Sequence, residues 1–260
     1  MKKAILLVSF GTSHADTRKK TLDVIQEETA VRFPDFAVYH AWTSGMIIRK
    51  LAVRDGIVIP TVKDAMEQMI RDGVEELVVQ PTHMINGIEN DRMMDTVKEY
   101  QGSFRKVVFG KPALTTTKDN ERMIRAVMSE FDLADDQALV WMGHGTQHYA
   151  NHVYAALDYM LKDLGYKHVV MGTVEAYPSM EELIRHVQEM QVRRVILAPF
   201  MMVAGDHAKN DMSGEDDDSW KSQFEKAGFR VECLLKGLGE YPKVREIITA
   251  HTQEAVEELG

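Results

Sequence analysis

Val8-Ser9-Phe10-Gly11-Thr12-Ser13-His14 and Met142-Gly143-His144-Gly145-Thr146-Gln147-His148 are two versions of one pattern. Each ends a short apolar run, residues 4–10 and 138–142, and breaks at glycine into a polar turn. An apolar run that stops there and hands over to a helical pattern is the opening of a parallel α/β unit. A second pair supports the match: Val78-Val79-Gln80-Pro81-Thr82-His83-Met84-Ile85-Asn86-Gly87 aligns with Ile196-Leu197-Ala198-Pro199-Phe200-Met201-Met202-Val203-Ala204-Gly205. That registration places Phe10 opposite His144 and Glu89 opposite His207, while Trp42-Thr43-Ser44 falls near Val174-Glu175-Ala176. The chain therefore reads as a diverged duplication with a repeat of about 120 to 130 residues.

Strands are expected at 4–10, 37–42, 76–81, 106–110, 138–142, 167–173, 193–199 and 230–236. They lack alternation of apolar and polar residues, as strands covered by helices on both faces should. Between them, Val62, Ala65, Met66, Met69 and Ile70 follow helical spacing up to Gly73, and Val153, Ala156, Leu157, Met160, Leu161 and Leu164 do so up to Gly165. Pro178 and the capping-box pattern Ser179-Met180-Glu181-Glu182 open another helix. The methionines on these stripes read as core packing, because thioethers suit soft metals and the spacing already accounts for them. The expected fold class is α/β: two similar Rossmann-like domains, 1–128 and 129–260, with parallel sheets, helices on both faces and an active-site crevice between them. The final helix is free to pack on the first half.

Composition narrows the function. A chain of 260 residues buries enough surface to need no metal or disulfide for stability. A net charge of −9 argues against a nucleic-acid partner. The one cysteine, Cys233, lies in an apolar run and reads as a small core residue. Lys2-Lys3 before an apolar stretch imitates a signal peptide, but that stretch is short and runs into Gly11-Thr12-Ser13, so it reads as a strand. No run is long enough for a membrane span. The expectation is a cytoplasmic protein. Gly-x-Gly-x-x-Gly after a strand, the phosphate-binding Gly-x-x-x-x-Gly-Lys-[Ser/Thr] loop and Gly-x-Ser-x-Gly are all absent, and no organic cofactor is expected.

His144, Glu175 and His207 each follow a different expected strand. Residues at the carboxyl ends of parallel strands converge on one crevice, and a His/Glu/His set suits a divalent cation that must later leave. Glycines on both sides of His144 allow a ligand close approach. His148 and His152 have the spacing of a helical metal pair but lack the glutamate of His-Glu-x-x-His. His83 ends a strand of the first half and is a candidate to line the crevice. Residues 213–219, Ser-Gly-Glu-Asp-Asp-Asp-Ser, read as a solvated loop or as an acidic patch that gathers cations.

Over nearly its whole length the chain resembles the anaerobic cobalamin-pathway cobaltochelatases, class II chelatases with a ferrochelatase-like fold. The resemblance is carried by Val8-Ser9-Phe10-Gly11-Thr12-Ser13, Thr43-Ser44-Gly45-Met46-Ile47-Ile48-Arg49-Lys50-Leu51, Met142-Gly143-His144-Gly145, Val174-Glu175-Ala176-Tyr177-Pro178, Val203-Ala204-Gly205-Asp206-His207-Ala208-Lys209-Asn210-Asp211-Met212 and Asp218-Ser219-Trp220-Lys221. It implies insertion of Co²⁺, as substrate metal, into sirohydrochlorin or precorrin-2 without ATP. It also implies that His144 is metal ligand and proton acceptor, with Glu175 and His207 completing the metal set. Insertion removes two pyrrole protons and exchanges water ligands for ring nitrogens, and an imidazole, with an ordinary pKa of about 6.5, can accept a proton or a metal.

Candidate contacts of the tetrapyrrole are Phe10, Ser44, Gly45, His83, Met84, Ile85, Glu89, Met201, Met202 and Val203. Its carboxylates need compensation, for which helix starts at Thr12 and Thr146 and the cations Arg49, Arg54, Arg92 and Lys209 are candidates. Alternatives remain open at this stage: Fe²⁺ or Ni²⁺ insertion into the same tetrapyrrole, or a carrier of metal or tetrapyrrole without turnover. The sequence also leaves the oligomeric state open, a homo-oligomer included.

Overall fold

Eight parallel strands, in two sheets of four, organise the described residues. The computed structural model describes residues 2–260. Its elements run β1 (Lys3–Ser9), α1 (Ala15–Lys20), α2 (Leu22–Arg32), β2 (Ala37–Trp42), α3 (Gly45–Asp55), α4 (Val62–Arg71), β3 (Glu76–Pro81), α5 (Ile88–Tyr100), β4 (Lys106–Phe109) and α6 (Thr117–Met128). There follow β5 (Gln137–Gly143), α7 (His152–Asp163), β6 (Val169–Thr173), α8 (Met180–Glu189), β7 (Arg194–Pro199), α9 (Trp220–Lys226), β8 (Arg230–Cys233) and α10 (Pro242–Leu259). The sheet orders are β2-β1-β3-β4 and β6-β5-β7-β8, with every pairing parallel. The expected strands are all present. The last is shorter than the run 230–236, because after Leu234 N–H bonds Leu197 O the chain leaves the ladder.

Contacts group the chain into two compact units. The first comprises residues up to Asp119 together with Pro242–Gly260, and the second is Asn120–Tyr241. In the first, Leu6, Val8, Leu77 and Val79 of the sheet pack with Met66 and Met69 of α4 and Met93 and Val97 of α5, all within the core. The methionines at these helical positions are core residues. In the second, Val140, Met142, Val170 and Leu197 pack with Leu183 and Val187 of α8 and Phe224 of α9. Along α7 the buried positions are Tyr154, Leu157 and Leu161, whereas Ala156, expected on the apolar stripe, is exposed. The Ser179 capping box forms as expected, with Ser179 N–H and Oγ–H both donating to Glu182 Oε2.

Backbone hydrogen bonds beyond the ladders give the duplication residue by residue. Ser44 N–H donates to Phe10 O at 3.2 Å, as Glu175 N–H does to His144 O at 3.0 Å. Leu114 N–H meets Met84 O as Gly239 N–H meets Met202 O, and Asp91 N–H meets Gly87 O as Lys209 N–H meets Gly205 O. Trp42 N–H meets Pro60 O where Thr173 N–H meets Pro178 O, so α3 is an insertion that the second unit replaces with the short turn 174–178. Glu175 lies in that short turn, whereas its counterpart Ser44 caps the inserted helix by accepting Ile47 N–H.

Candidate metal centre

The order β6-β5-β7-β8 sends the chain away in opposite directions after β5 and β7, and the loops at such a switch point leave room for a ligand. His144 stands one residue past β5. Tyr154 holds its turn: Gly143 lies so close to the ring that a Cβ there would sit 2.5 Å from it. The Tyr154 hydroxyl accepts the backbone N–H of Gly145 and His144, although burial pushes its pKa up to about 12. Gly145 takes φ +82°, and a Cβ would approach Ala176 N and Thr173 within 2.9 Å. The turn therefore requires glycine on both sides of His144. Tyr154→Phe leaves two backbone donors without their acceptor and is expected to lower stability by about 1–3 kcal/mol. Urea denaturation measures this, and an unchanged midpoint would refute the role.

Glu175 is held against the same turn by two bonds that extend the β5–β6 ladder, Val174 N–H to Gly143 O at 3.1 Å and Glu175 N–H to His144 O. His207 comes from the segment after β7, which forms a tight helical turn. Ala208 and Met212 bury one face of that turn in the core, which leaves His207 and Asp211 on the other, four residues apart.

The three side chains meet. One ligand atom from each of His144, Glu175 and His207 lies within 4.8 Å of the other two. The contact decides what the imidazoles can do. His207 Nδ1 is 2.6 Å from Asp211 Oδ2 and His144 Nδ1 is 2.8 Å from Gly145 O. Both partners are acceptors, so both Nδ1 atoms carry the proton. The two Nε2 atoms then face one another at 3.1 Å, an arrangement that either a shared proton or a metal ion between them satisfies. An ion at about 2.0–2.1 Å from each nitrogen would subtend roughly 100°, which suits tetrahedral or octahedral coordination. The Glu175 carboxylate lies 3.6 Å from His144 Nδ1. Side-chain exposures of 39% for His144, 52% for Glu175 and 33% for His207 leave the centre accessible to an incoming ion.

Asp211 is the supporting residue that sequence reading passed over. A carboxylate behind a metal-ligating histidine fixes its tautomer and raises its basicity. Asp211→Asn is expected to weaken Co²⁺ affinity by about 10–100-fold, as measured by competition against a chromophoric chelator. Unchanged affinity would remove Asp211 from the site.

The first unit keeps the backbone frame and lacks the donors. Phe10 follows β1 and is 41% exposed; Ser44 is buried as a helix cap, and Gly45 begins α3. Glu89, in the first turn of α5, pairs with Arg92 at 3.1 Å. His83 is buried, neither ring nitrogen has a partner among the described residues, and burial pulls its pKa down to about 4. Met84 and Ile85 beyond it are partly buried, as are Met201 and Val203 in the second unit, while Met202 is buried.

Of the cations offered for substrate carboxylates, Arg92 is engaged by Glu89, and Arg54 by Asp55 and Ser13 O. Arg49 Nε donates to Gly45 O. His148 and His152 do not share a helical face: His148 caps a 3₁₀ turn and His152 opens α7. In the acidic loop, Glu215 pairs with Lys221 and Asp217 with Lys226. No helix among the described residues is long and apolar enough to cross a membrane.

Known proteins match this fold and this sequence. SirB from Bacillus subtilis, solved with Fe³⁺, superposes with a TM-score of 0.66 over 100% of this chain and 98% of its own, at 13% identity. DR2241 from Deinococcus radiodurans, a multi-domain protein with structural similarity to chelatases, gives 0.61 over 98% of this chain and 55% of its own, also at 13% identity. The fold is that of the chelatases. A family model described as cobalt chelatase (CbiK) matches residues 3–257. The sirohydrochlorin cobaltochelatase of Salmonella typhimurium is 39% identical over 98% of this chain and 97% of its own length. Sirohydrochlorin cobaltochelatase CbiKC of Nitratidesulfovibrio vulgaris is 32% identical over 99% and 92%. This chain belongs to the CbiK cobalt chelatase family, enzymes that insert a divalent metal into a tetrapyrrole.

Proposed function

We propose that this chain inserts Co²⁺ into sirohydrochlorin, or precorrin-2, without ATP, as a step of anaerobic cobalamin biosynthesis. The observation that carries the reading is the pair of Nε2 lone pairs facing at 3.1 Å beside a carboxylate, with both Nδ1 protons already committed. Such a set holds a divalent ion without the thiolates that would keep it. His144, Glu175 and His207 bind the metal and yield it as ring nitrogens replace them. Nε2 of His144, freed as the ion departs, accepts one pyrrole proton; His207 Nε2 or the Glu175 carboxylate takes the second. One lone pair serves two tasks in sequence, so metal release and proton uptake are coupled.

Phe10, Ser44, Gly45, His83, Met84, Ile85, Glu89, Met201, Met202 and Val203 are the proposed macrocycle contacts. The 1–128 and 129–260 halves are the proposed duplicated units, because α6 and α10 each follow the fourth strand of a sheet. The cytoplasm is the proposed compartment.

Imidazole and carboxylate ligation does not rank Co²⁺ against Fe²⁺ or Ni²⁺. The test is an anaerobic absorbance assay with purified protein, sirohydrochlorin and each metal in turn. Insertion above background, fastest with Co²⁺, is expected. Faster Fe²⁺ or Ni²⁺ insertion would reassign the metal, and binding of both substrates with no rate above background would make the chain a carrier.

A further inference from the structure

The two copies of the repeat differ at the switch points of their sheets, which lie between β1 and β3 in one and between β5 and β7 in the other. Thr82 N–H donates to Val8 O at 2.8 Å and Phe200 N–H to Met142 O at 2.7 Å, so Thr82 and Phe200 are equivalent. Leu7 pairs with Gln80 as Trp141 pairs with Ala198, which makes Leu7 and Trp141 equivalent too. In the second unit Trp141 and Phe200 are buried, with ring centroids 4.7 Å apart. In the first, Leu7 and Thr82 instead line a cavity of about 300 Å³. Protein interiors are packed without such voids, and a volume of this size stands at the lower limit of small-molecule pockets.

Three polar side chains from three elements meet in its wall: Arg18 of α1, Asp23 of α2 and His40 of β2. Arg18 Nε lies 3.4 Å from Asp23 Oδ2, yet this buried N–H makes no hydrogen bond among the described residues. The pair is open rather than clasped, and its side chains keep 21% and 39% of their surface exposed. Both charges act on the His40 imidazole, whose pKa burial pushes down, so a neutral ring completes the polar end. Leu22, Ile25, Trp42 and Ile59, all buried, make up an apolar wall. A guanidinium and a carboxylate side by side suit a ligand that carries an anion and a cation one carbon apart, whereas a bare anion would be repelled by Asp23. The apolar wall suits a hydrocarbon group attached to that carbon.

We propose that this cavity binds a free amino acid with an apolar side chain. Its carboxylate sits on the terminal nitrogens of Arg18, its ammonium on Asp23, and its side chain against Leu22, Ile25 and Trp42. The site lies wholly within the first unit, whereas the metal centre belongs to the second, so it does not depend on the chelatase reading.

The probes are L-leucine, L-methionine and L-phenylalanine, added at millimolar concentration to the metal-free protein. At least one should raise Tm, as a ligand of the folded state does. Calorimetric titration then gives the Kd of that amino acid, of its deaminated acid and of its decarboxylated amine; for leucine these are 4-methylpentanoate and 3-methylbutylamine. Loss of either charged group should raise Kd about tenfold, the effect of one charge-assisted hydrogen bond. Arg18→Gln and Asp23→Asn should each do the same, with Co²⁺ affinity and the circular dichroism spectrum those of wild type. Thr82→Phe, which supplies the ring that the second unit carries, should abolish binding. No Tm shift with any of the three amino acids would overturn the proposal, as would unchanged affinity in folded Arg18→Gln. A deaminated acid that binds as tightly as the amino acid would overturn it in favour of a simple anion site.

Discussion

His144→Ala is expected to bring the initial rate of Co²⁺ insertion down to near the uncatalysed background, with the circular dichroism spectrum unchanged. In the proposed mechanism the residue supplies both a metal-binding lone pair and the first proton acceptor. Loss of a positioned base alone typically costs about 10²–10⁴-fold in rate, and here a ligand is lost as well. The fold should survive, because the His144 ring is partly exposed and the turn is held by Gly143, Gly145 and Tyr154. Full activity in this variant would remove the mechanism.

His207→Ala should act first on the metal. It deletes one of the two facing Nε2 donors and leaves Asp211 without its imidazole. Co²⁺ affinity should fall by about 100-fold, the upper end of what loss of a supporting carboxylate brings. Some turnover should remain at saturating Co²⁺, because in the proposed mechanism His144 still accepts a proton. Glu175→Ala should have the same direction and a smaller effect, since its carboxylate is the most exposed of the three donors. A chelator-competition titration gives the affinities and the absorbance assay gives the rates. An unaltered Kd in His207→Ala would mean that the ion binds elsewhere.

The strand pattern was legible because apolar runs ending at Gly11, Gly143 and Pro199 leave little freedom in where a parallel strand stops. For the same reason His144, Glu175 and His207 could be assigned to strand ends before any geometry was known. The alignment of Phe10 with His144 and Glu89 with His207 matches the backbone hydrogen bonds that the two units share.

What the sequence hid depends on helical register and on contacts distant in sequence. Asp211 supports His207 only because residues 208–212 coil tightly, whereas their polar composition reads as loop. A His-x-x-x-Asp spacing was the available signal. Tyr154 is hidden in the sequence because the apolar spacing starts as well from Val153, whereas the buried face of α7 runs through Tyr154, Leu157 and Leu161. A 3₁₀ turn before α7 separates His148 from His152. The insertion of α3 obscured the match of Ser44 to Glu175, which sequence spacing could place only approximately.

The most direct test of the central claim is the anomalous scattering of cobalt from crystals of the protein soaked with Co²⁺ alone. The account predicts one strong peak between His144 Nε2 and His207 Nε2, at about 2.0–2.3 Å from each and from a Glu175 carboxylate oxygen, with the Asp211–His207 contact intact. A peak at the acidic loop 213–219 or at His148 and His152, with none between the two facing imidazoles, would contradict it.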